Sequence, residues 1–476
     1  MSVLDEISKA VDERGAEFTA LSDQIWDNPE LRWNEFASVA AQIELAQRAG
    51  FTIQRQVAGI PTAFSAEYGT SGPVIAILGE YDSLAGLSQE SGVATRQPDP
   101  ASESGNGQGC GHHLLGTGSL LAAVAVARFL DANGLPGRVR YYGCPAEEAA
   151  AGKSFMVKEG AFADVDAAVS WHPASVTGVM RADVLAYCQA YFSFDGVAAH
   201  AGASPWLGRS ALDAAELMNV GVNFLREHMP PDSRIHYAFV DSGGPSPNVV
   251  QPTARLYYLV RAPDVPQMRA LYERVVKVAE GAALMTETSL AVEFDGGSSE
   301  LLQNAVLEQA MHDIAVRLGP VPFDDADRDL ARPFAAAVSP AEVAMTRAMA
   351  GIDASDPSPL HDGIIPFDPT APRPRAGGST DVGDVSRVVP TVQCTGAVAA
   401  LGTPAHAWQL VAQGKMAAAH KGMIHAAKIM GSTAASLLAD DGLLAKARDE
   451  FDTRIAKRPY DCPIPDGVLA PPLRAR

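Results

Sequence analysis

Cys110, Gly111, His112 and His113 follow one another at the mouth of a Gly-rich loop that opens into an apolar helical segment. On an extended backbone alternate side chains share a face, so Cys110 and His112 point the same way about 7 Å apart. That spacing suits two ligands of a metal centre. Taken alone, a Cys two residues from a His is more often a buried thiol beside a loop His. Later positions shift the reading. Glu147 and Glu148 follow the apolar run at 139–145, His172 closes the run at 167–171, and His406 lies near the end of the chain. Open α/β sheets place their chemistry at strand ends, and these donors fall in an order that one active site could collect.

The elements that must position them can be read in outline. Residues 8–49 have a helical pattern, 74–78 form a short apolar strand ending in Gly79-Glu80-Tyr81-Asp82, and a Gly/Ser/Pro-rich loop at 88–109 leads to the Cys-His motif. A helix over 114–133 and strands before Glu147 and His172 complete an alternation that predicts a mixed, mostly parallel sheet with helices on both faces. From residue 185 the pattern changes. A strand, a helix with Ala211, Ala215, Met218, Val222 and Leu225 at 3–4 spacing, two strands, a second such helix and a last strand at 290–294 give the β-α-β-β-α-β order of a ferredoxin-like α+β module. The expected organisation is a catalytic domain in two parts, 1–185 and 299–476, with this module inserted at 186–298. The Pro-rich segment 332–376 shows no sustained period and reads as an irregular binding or flexible loop.

Composition sets outer bounds. A chain of 476 residues exceeds one growing core. A net charge of −19 argues against nucleic acid or an acidic membrane surface as partner. The N-terminus has neither a basic start nor an apolar core, and no uninterrupted apolar run approaches a membrane span, so a cytoplasmic protein is expected. Five scattered Cys residues form no disulfide framework. His-Glu-x-x-His, Walker and Gly-x-Ser-x-Gly motifs are absent from the sequence.

The runs Trp26-Asp27-Asn28-Pro29-Glu30-Leu31, Gly109-Cys110-Gly111-His112, Pro145-Ala146-Glu147-Glu148, Ala199-His200-Ala201 and Gly402-Thr403-Pro404-Ala405-His406 together resemble the amidohydrolase branch of the aminoacylase and carboxypeptidase G dinuclear metallopeptidases. The likeness spans almost the whole chain. It implies two divalent ions, Zn²⁺ or Mn²⁺, held by Cys110, His112, Glu148, His172 and His406, with the Cys110 thiolate in the bridging position. Because adjacent residues on an extended chain do not comfortably face one ion, Glu147 is left as general base. The resemblance further implies that the inserted module is a lid or dimerisation domain, that His200 stabilises the oxyanion in a neighbouring protomer's site, and that Asn248 contacts substrate. Arg209 and Arg261 are candidate carboxylate clamps or, equally, structural ion-pair partners.

Two departures stand out: His113 follows His112 where relatives carry an acid or amide, and Gln108 stands where a histidine often precedes the Cys. His113 is a candidate group for orienting a ligand. The implied activity is hydrolysis of N-acyl or N-aroyl amino acids, p-aminobenzoyl-glutamate foremost, by a homodimer or by a heteromer with a related chain. The alternatives are a broader aminoacylase or dipeptidase, and a non-catalytic companion of a related hydrolase.

Overall fold

The computed structural model of the chain describes residues 1–375 and 377–470. Seven strands form the larger sheet: β1 (Thr52–Arg55), β2 (Phe64–Tyr68), β3 (Val74–Glu80), β4 (Arg138–Cys144), β5 (Ala167–Ala174), β6 (Gly178–Val179) and β11 (Thr391–Ala397), in the order β1-β2-β4-β3-β5-β11-β6. The four central strands β4, β3, β5 and β11 are parallel, and the outer ones antiparallel. β3 is buried at every position because both faces are covered. Ile75 and Ile77 join the core under α1 (Val3–Asp27), α3 (His112–Asn133) and α13 (Ala417–Ala439). Val74, Ala76 and Leu78 pack on the opposite side with α5 (Gly152–Lys158) and α11 (Val382–Ser386).

The expected helix over 8–49 is two helices, α1 and α2 (Phe36–Arg48), with Pro29 and a turn between them. α3 is long and apolar enough by composition to cross a membrane, but 94% of its apolar window is buried in this core. It is an all-round apolar helix because sheet, α1 and α13 surround it.

The second sheet contains β7 (Ala186–Asp195), β8 (Arg234–Asp241), β9 (Thr253–Ala262) and β10 (Ser289–Ser298), all antiparallel in the order β10-β7-β9-β8. One face, with Phe192, Phe194, Leu256 and Val260, packs on α6 (Ala211–Leu225) and α7 (Val265–Thr286). The alternate residues Tyr187, Gln189, Leu259 and Arg261 point the other way, by the two-residue period of a strand. Arg32 of the larger unit meets Asp295 of β10 at 2.9 Å.

After β10 come α8 (Ala305–Leu318), α9 (Asp325–Ala336) and α10 (Pro340–Ala350), and α12 (Trp408–Gln413) and α14 (Asp441–Ile455) flank α13. The expectation of an irregular segment from 332 is thus corrected. A capping box between Ser339 and Glu342, with Pro340 in the first turn, starts α10, and only 351–375 is irregular. Residue 376 lies outside the described residues. α4 (Glu147–Ala150) is a single turn and belongs to the site.

Candidate active site

The chain does not run extended from Cys110 to His112, as the sequence suggests. Gly111 adopts φ 77° and His112 opens α3, so a left-handed turn rather than a pleat brings the two side chains to one centre. A Cβ at Gly111 would also lie 2.9 Å from Pro173, next to His172. Cys110 Sγ stands 3.4 Å from His172 Nε2. The ligand atoms of Cys110, His112 and His172 lie within 4.8 Å of one another, and so do those of Cys110, Glu148 and His406. Cys110 is common to both triads.

Two of the three imidazoles are oriented from behind. His112 Nδ1 lies 2.8 Å from Asp82 Oδ1, and His172 Nδ1 lies 2.9 Å from the Pro173 carbonyl. A proton on Nδ1 leaves the Nε2 lone pair free for a metal. The second oxygen of Asp82 accepts the Glu148 amide at 2.8 Å, so one buried carboxylate at the end of β3 fixes candidate ligands from two other elements.

Glu147 and Glu148 sit on α4, entered through Ala146 at φ 56° and left through Ala151 at φ 62°. The premise of an extended chain is therefore corrected: on a helical turn both carboxylates reach the cluster. Glu148 Oε1 is 3.0 Å from His406 Nε2, and Glu147 Oε2 is 3.9 Å from His112 Nε2. His406 itself has φ 58°, costly for a residue with a Cβ. Its N–H is anchored on the Gly109 carbonyl at 2.8 Å.

Electrostatics explain what this cluster calls for. Burial, with Glu80 and Glu148 nearby, pushes the Glu147 carboxyl well above its ordinary range, and burial beside Glu148 pushes the Cys110 thiol up. His112 Nε2 and Glu80 Oε2 face each other at 3.2 Å, as Glu148 Oε1 faces His406, yet none of these three buried atoms makes a hydrogen bond of good geometry. Converging soft and anionic donors with orphaned lone pairs fit divalent cations, whose charge would reverse the penalty on the thiolate and carboxylates. Behind them lies a closed charge network. Lys153 Nζ reaches Glu80 Oε1 at 2.5 Å and Asp381 Oδ1 at 2.7 Å, and all three side chains are buried. Burial would raise the Glu80 carboxyl, but Lys153 together with His112 and His172 outweighs it and holds that carboxyl below its usual range.

A cavity of about 520 Å³ opens in front of the cluster. Cys110, Glu147, Glu148, His172 and His406 line one side, while Tyr187, Gln189, Leu259 and Arg261 of the second sheet line the other. Arg261 donates to Ser379 Oγ at 3.2 Å and has no ion-pair partner among the described residues. Arg209 does not share this place. It pairs with Glu287 at 2.8 Å on the far end of the module, outside this chain's own cavity.

His113 is also corrected: its Nε2 faces the Gly414 carbonyl at 3.1 Å, and it orients no ligand. His200 and Asn248 adjoin one another, the Ala201 amide donating to the Asn248 carbonyl, but both are exposed and neither lines the cavity.

The family model described as Peptidase family M20/M25/M40 matches residues 76–439. The chain belongs to this family. It is 44% identical over 476 residues to the B subunit of p-aminobenzoyl-glutamate hydrolase from Escherichia coli (strain K12), with 98% of each chain covered. The A subunit of that hydrolase, from the same organism, is 30% identical over 227 residues, 46% of this chain and 51% of its own. A solved dinuclear metal-binding peptidase from the M20 family of Bacillus subtilis matches with a TM-score of 0.53 at 16% identity, covering 90% of this chain and 99% of that one. That likeness carries the fold, a mostly parallel sheet with a separate antiparallel sheet, as expected from sequence.

Within this M20 fold, Asp82, Glu80, Lys153 and Asp381 are site residues that the sequence reading does not single out. Glu80 and Asp82 have a signal, two acids ending a continuous apolar strand, where a buried carboxylate needs a partner. Lys153 and Asp381 have none, because 228 residues separate them.

Proposed function

We propose that the chain hydrolyses the amide bond of N-acyl or N-aroyl amino acids, with p-aminobenzoyl-glutamate as the foremost substrate. The observation that carries this reading is a single cavity with two donor triads sharing Cys110 on one side and the guanidinium of Arg261 on the other. The 44% identity to one component of a p-aminobenzoyl-glutamate hydrolase supports the choice of substrate.

Cys110, His112, Glu148, His172 and His406 would hold two divalent ions, Zn²⁺ suiting the thiolate and imidazoles and Mn²⁺ the carboxylate. When bound, such ions polarise a carbonyl and bring the pKa of a water toward neutrality. Glu147 takes the proton from the attacking water and passes it to the leaving amine nitrogen. Arg261 receives the carboxylate of the leaving amino acid in its planar fork.

His200 accepts the Gly202 and Ala203 amides on Nδ1, at 3.2 and 3.1 Å. Its Nε2–H therefore points outward, and with Asn248 it serves a neighbouring protomer's cavity, where it stabilises the oxyanion. The edge strand β8 with exposed Tyr237, Phe239 and Val240, and Phe224 on α6, supply apolar area for a dimer through the module. The second protomer is another copy, or a related chain like the other component of the Escherichia coli hydrolase. A reducing compartment such as the cytoplasm suits five unpaired cysteines.

The test is a hydrolysis screen of p-aminobenzoyl-glutamate, other N-acyl amino acids and dipeptides, with chain loaded separately with Zn²⁺ and Mn²⁺. Release of p-aminobenzoate is the expected outcome. Cleavage of dipeptides alone would replace this reading by a dipeptidase, and no cleavage by the chain unless a related protein is added would make it a companion chain.

A further inference from the structure

Two glutamines in the cavity are left over from the chemistry above. Gln189 lies on β7, two residues past Tyr187, and Gln393 lies on β11, opposite Ser170 of β5. Both line the cavity, one from each sheet. They are 2% and 4% exposed, yet Nε2 of Gln189 and Oε1 of Gln393 have no hydrogen-bond partner. Buried glutamines away from the cavity, such as Gln413 with Ala400 and Thr403 and Gln89 with Thr95 and Gln97, are used by protein at both ends of the amide, although Gln303 leaves its oxygen free. Burying an amide without a partner is costly, and two amides converging on one cavity from opposite sheets point to a polar ligand.

Strand register indicates which part of the substrate Gln189 meets, with Gln393 across the cavity. Tyr187 is paired with Arg261, and Gln189 with Leu259, so the Gln189 pair lies about 7 Å further along the same face than the guanidinium. A leaving amino acid with its α-carboxylate on Arg261 spans that offset if its side chain carries two methylenes and a planar polar end. A primary amide offers both a donor and an acceptor, exchanged by a half-turn of its last torsion. It therefore meets a carboxylate or a carboxamide equally well.

We infer that Gln189 and Gln393 form the side-chain subsite for the leaving amino acid and select a glutamate-type side chain, carboxylate or carboxamide, over an apolar one of equal length. This rests on the amidohydrolase reading proposed above. A site built to hydrogen-bond a polar group rejects the analogue that lacks it, because its own buried groups are then left unpaired.

The experiment compares kcat/KM for the p-aminobenzoyl derivatives of glutamate, glutamine and norvaline, using the metal-loaded chain and its Gln189→Met and Gln393→Met variants. Wild type is expected to prefer glutamate or glutamine to norvaline by about tenfold or more. Each substitution should shrink that ratio by about tenfold, mainly through KM. Glutamate against glutamine tells which planar end is read. Equal losses on all three substrates, or an unmoved ratio, overturn the inference, the first marking a merely structural role and the second amides that face water.

If wild type cleaves none of the three, the amidohydrolase reading fails on its own. Calorimetric binding of free glutamate against norvaline then decides the subsite: a glutamate preference lost in both variants upholds it, and no preference in wild type overturns it.

Discussion

The two walls of the cavity are built on opposite plans. On the catalytic sheet the charges behind the metal donors are partnered within the same chain: Asp82 with His112, and Lys153 with Glu80 and Asp381. The inserted module instead carries its distinctive residues outward, with His200 and Asn248 on an exposed tip and Arg261 and Gln189 facing the cavity. Self-contained networks fix geometry, whereas groups turned away from their own chain are placed to meet something outside it. The first wall should therefore respond to mutation by losing stability or chemistry, and the second by losing recognition.

The largest effect is expected from the centre of the first plan. Replacing Lys153 by Met leaves Glu80 and Asp381 buried with no cation between them, and breaking a buried ion pair from one side costs about 3–5 kcal/mol. Thermal and denaturant unfolding should show it. A variant as stable as wild type would mean that water already reaches these carboxylates, and the contrast between the walls would weaken.

Next comes Glu147→Gln, which keeps the shape of α4 and its neighbours but removes the base. Turnover should fall at least about a hundredfold with fold and metal content retained. Glu148→Gln, by contrast, should act through metal loss, read by elemental analysis. If the two variants behaved alike, the distinct roles drawn for adjacent carboxylates would collapse into one.

These residues also show where sequence is informative and where it is not. The donors are legible because thiol, imidazole and carboxylate at strand ends are chemically unusual, and the ferredoxin-like module because two apolar helical stripes interrupt a run of strands. Local backbone is not. Positive φ at Ala146 and His406 leaves no mark in composition, since the residues with an αL preference are Gly and Asn. Arg209 and Arg261 look alike in sequence, and only strand register puts one opposite Tyr187 in the cavity and leaves the other beside Glu287. α10 does carry a local signal: Ser339, Pro340 and Glu342 form a capping signature, masked by the surrounding prolines that suggest a loop.

The second plan is sharpened by mixing protomers. If His200 completes a neighbour's cavity, His200→Ala and Glu147→Gln chains should each be nearly inactive alone and regain activity once combined, because one site of a mixed dimer then has both groups. Recovery should approach at most about half of a dimer's sites. Proven mixed dimers without recovery would return His200 to a surface role and make the module's tip as self-contained as the sheet.

The last test reads a change with pH rather than a loss, and asks whether the first wall is wholly settled. Glu35 precedes α2, and its Oε1 accepts the amides of Trp33 and Ala146, both at 2.9 Å, so it holds the turn that presents Glu147. Its other oxygen has no partner. Burial, then the nearby Asp82, push its carboxyl up to about 8 from 4.5. A folded-state pKa raised above the unfolded one favours the protonated form in the fold. The contribution is therefore fully present below about pH 4.5 and is lost as pH rises through about 8. Gln keeps the accepting oxygen and cannot ionise. Glu35→Gln should thus gain stability over wild type as pH goes from 5 to 8, and each unit of the shift is worth about 1.4 kcal/mol. Melting curves of the two proteins across that range decide it. Parallel curves would show that Glu35 is already satisfied as an anion, by water or by ions bound nearby, and would make this corner of the wall as fully paired as the Lys153 network behind it.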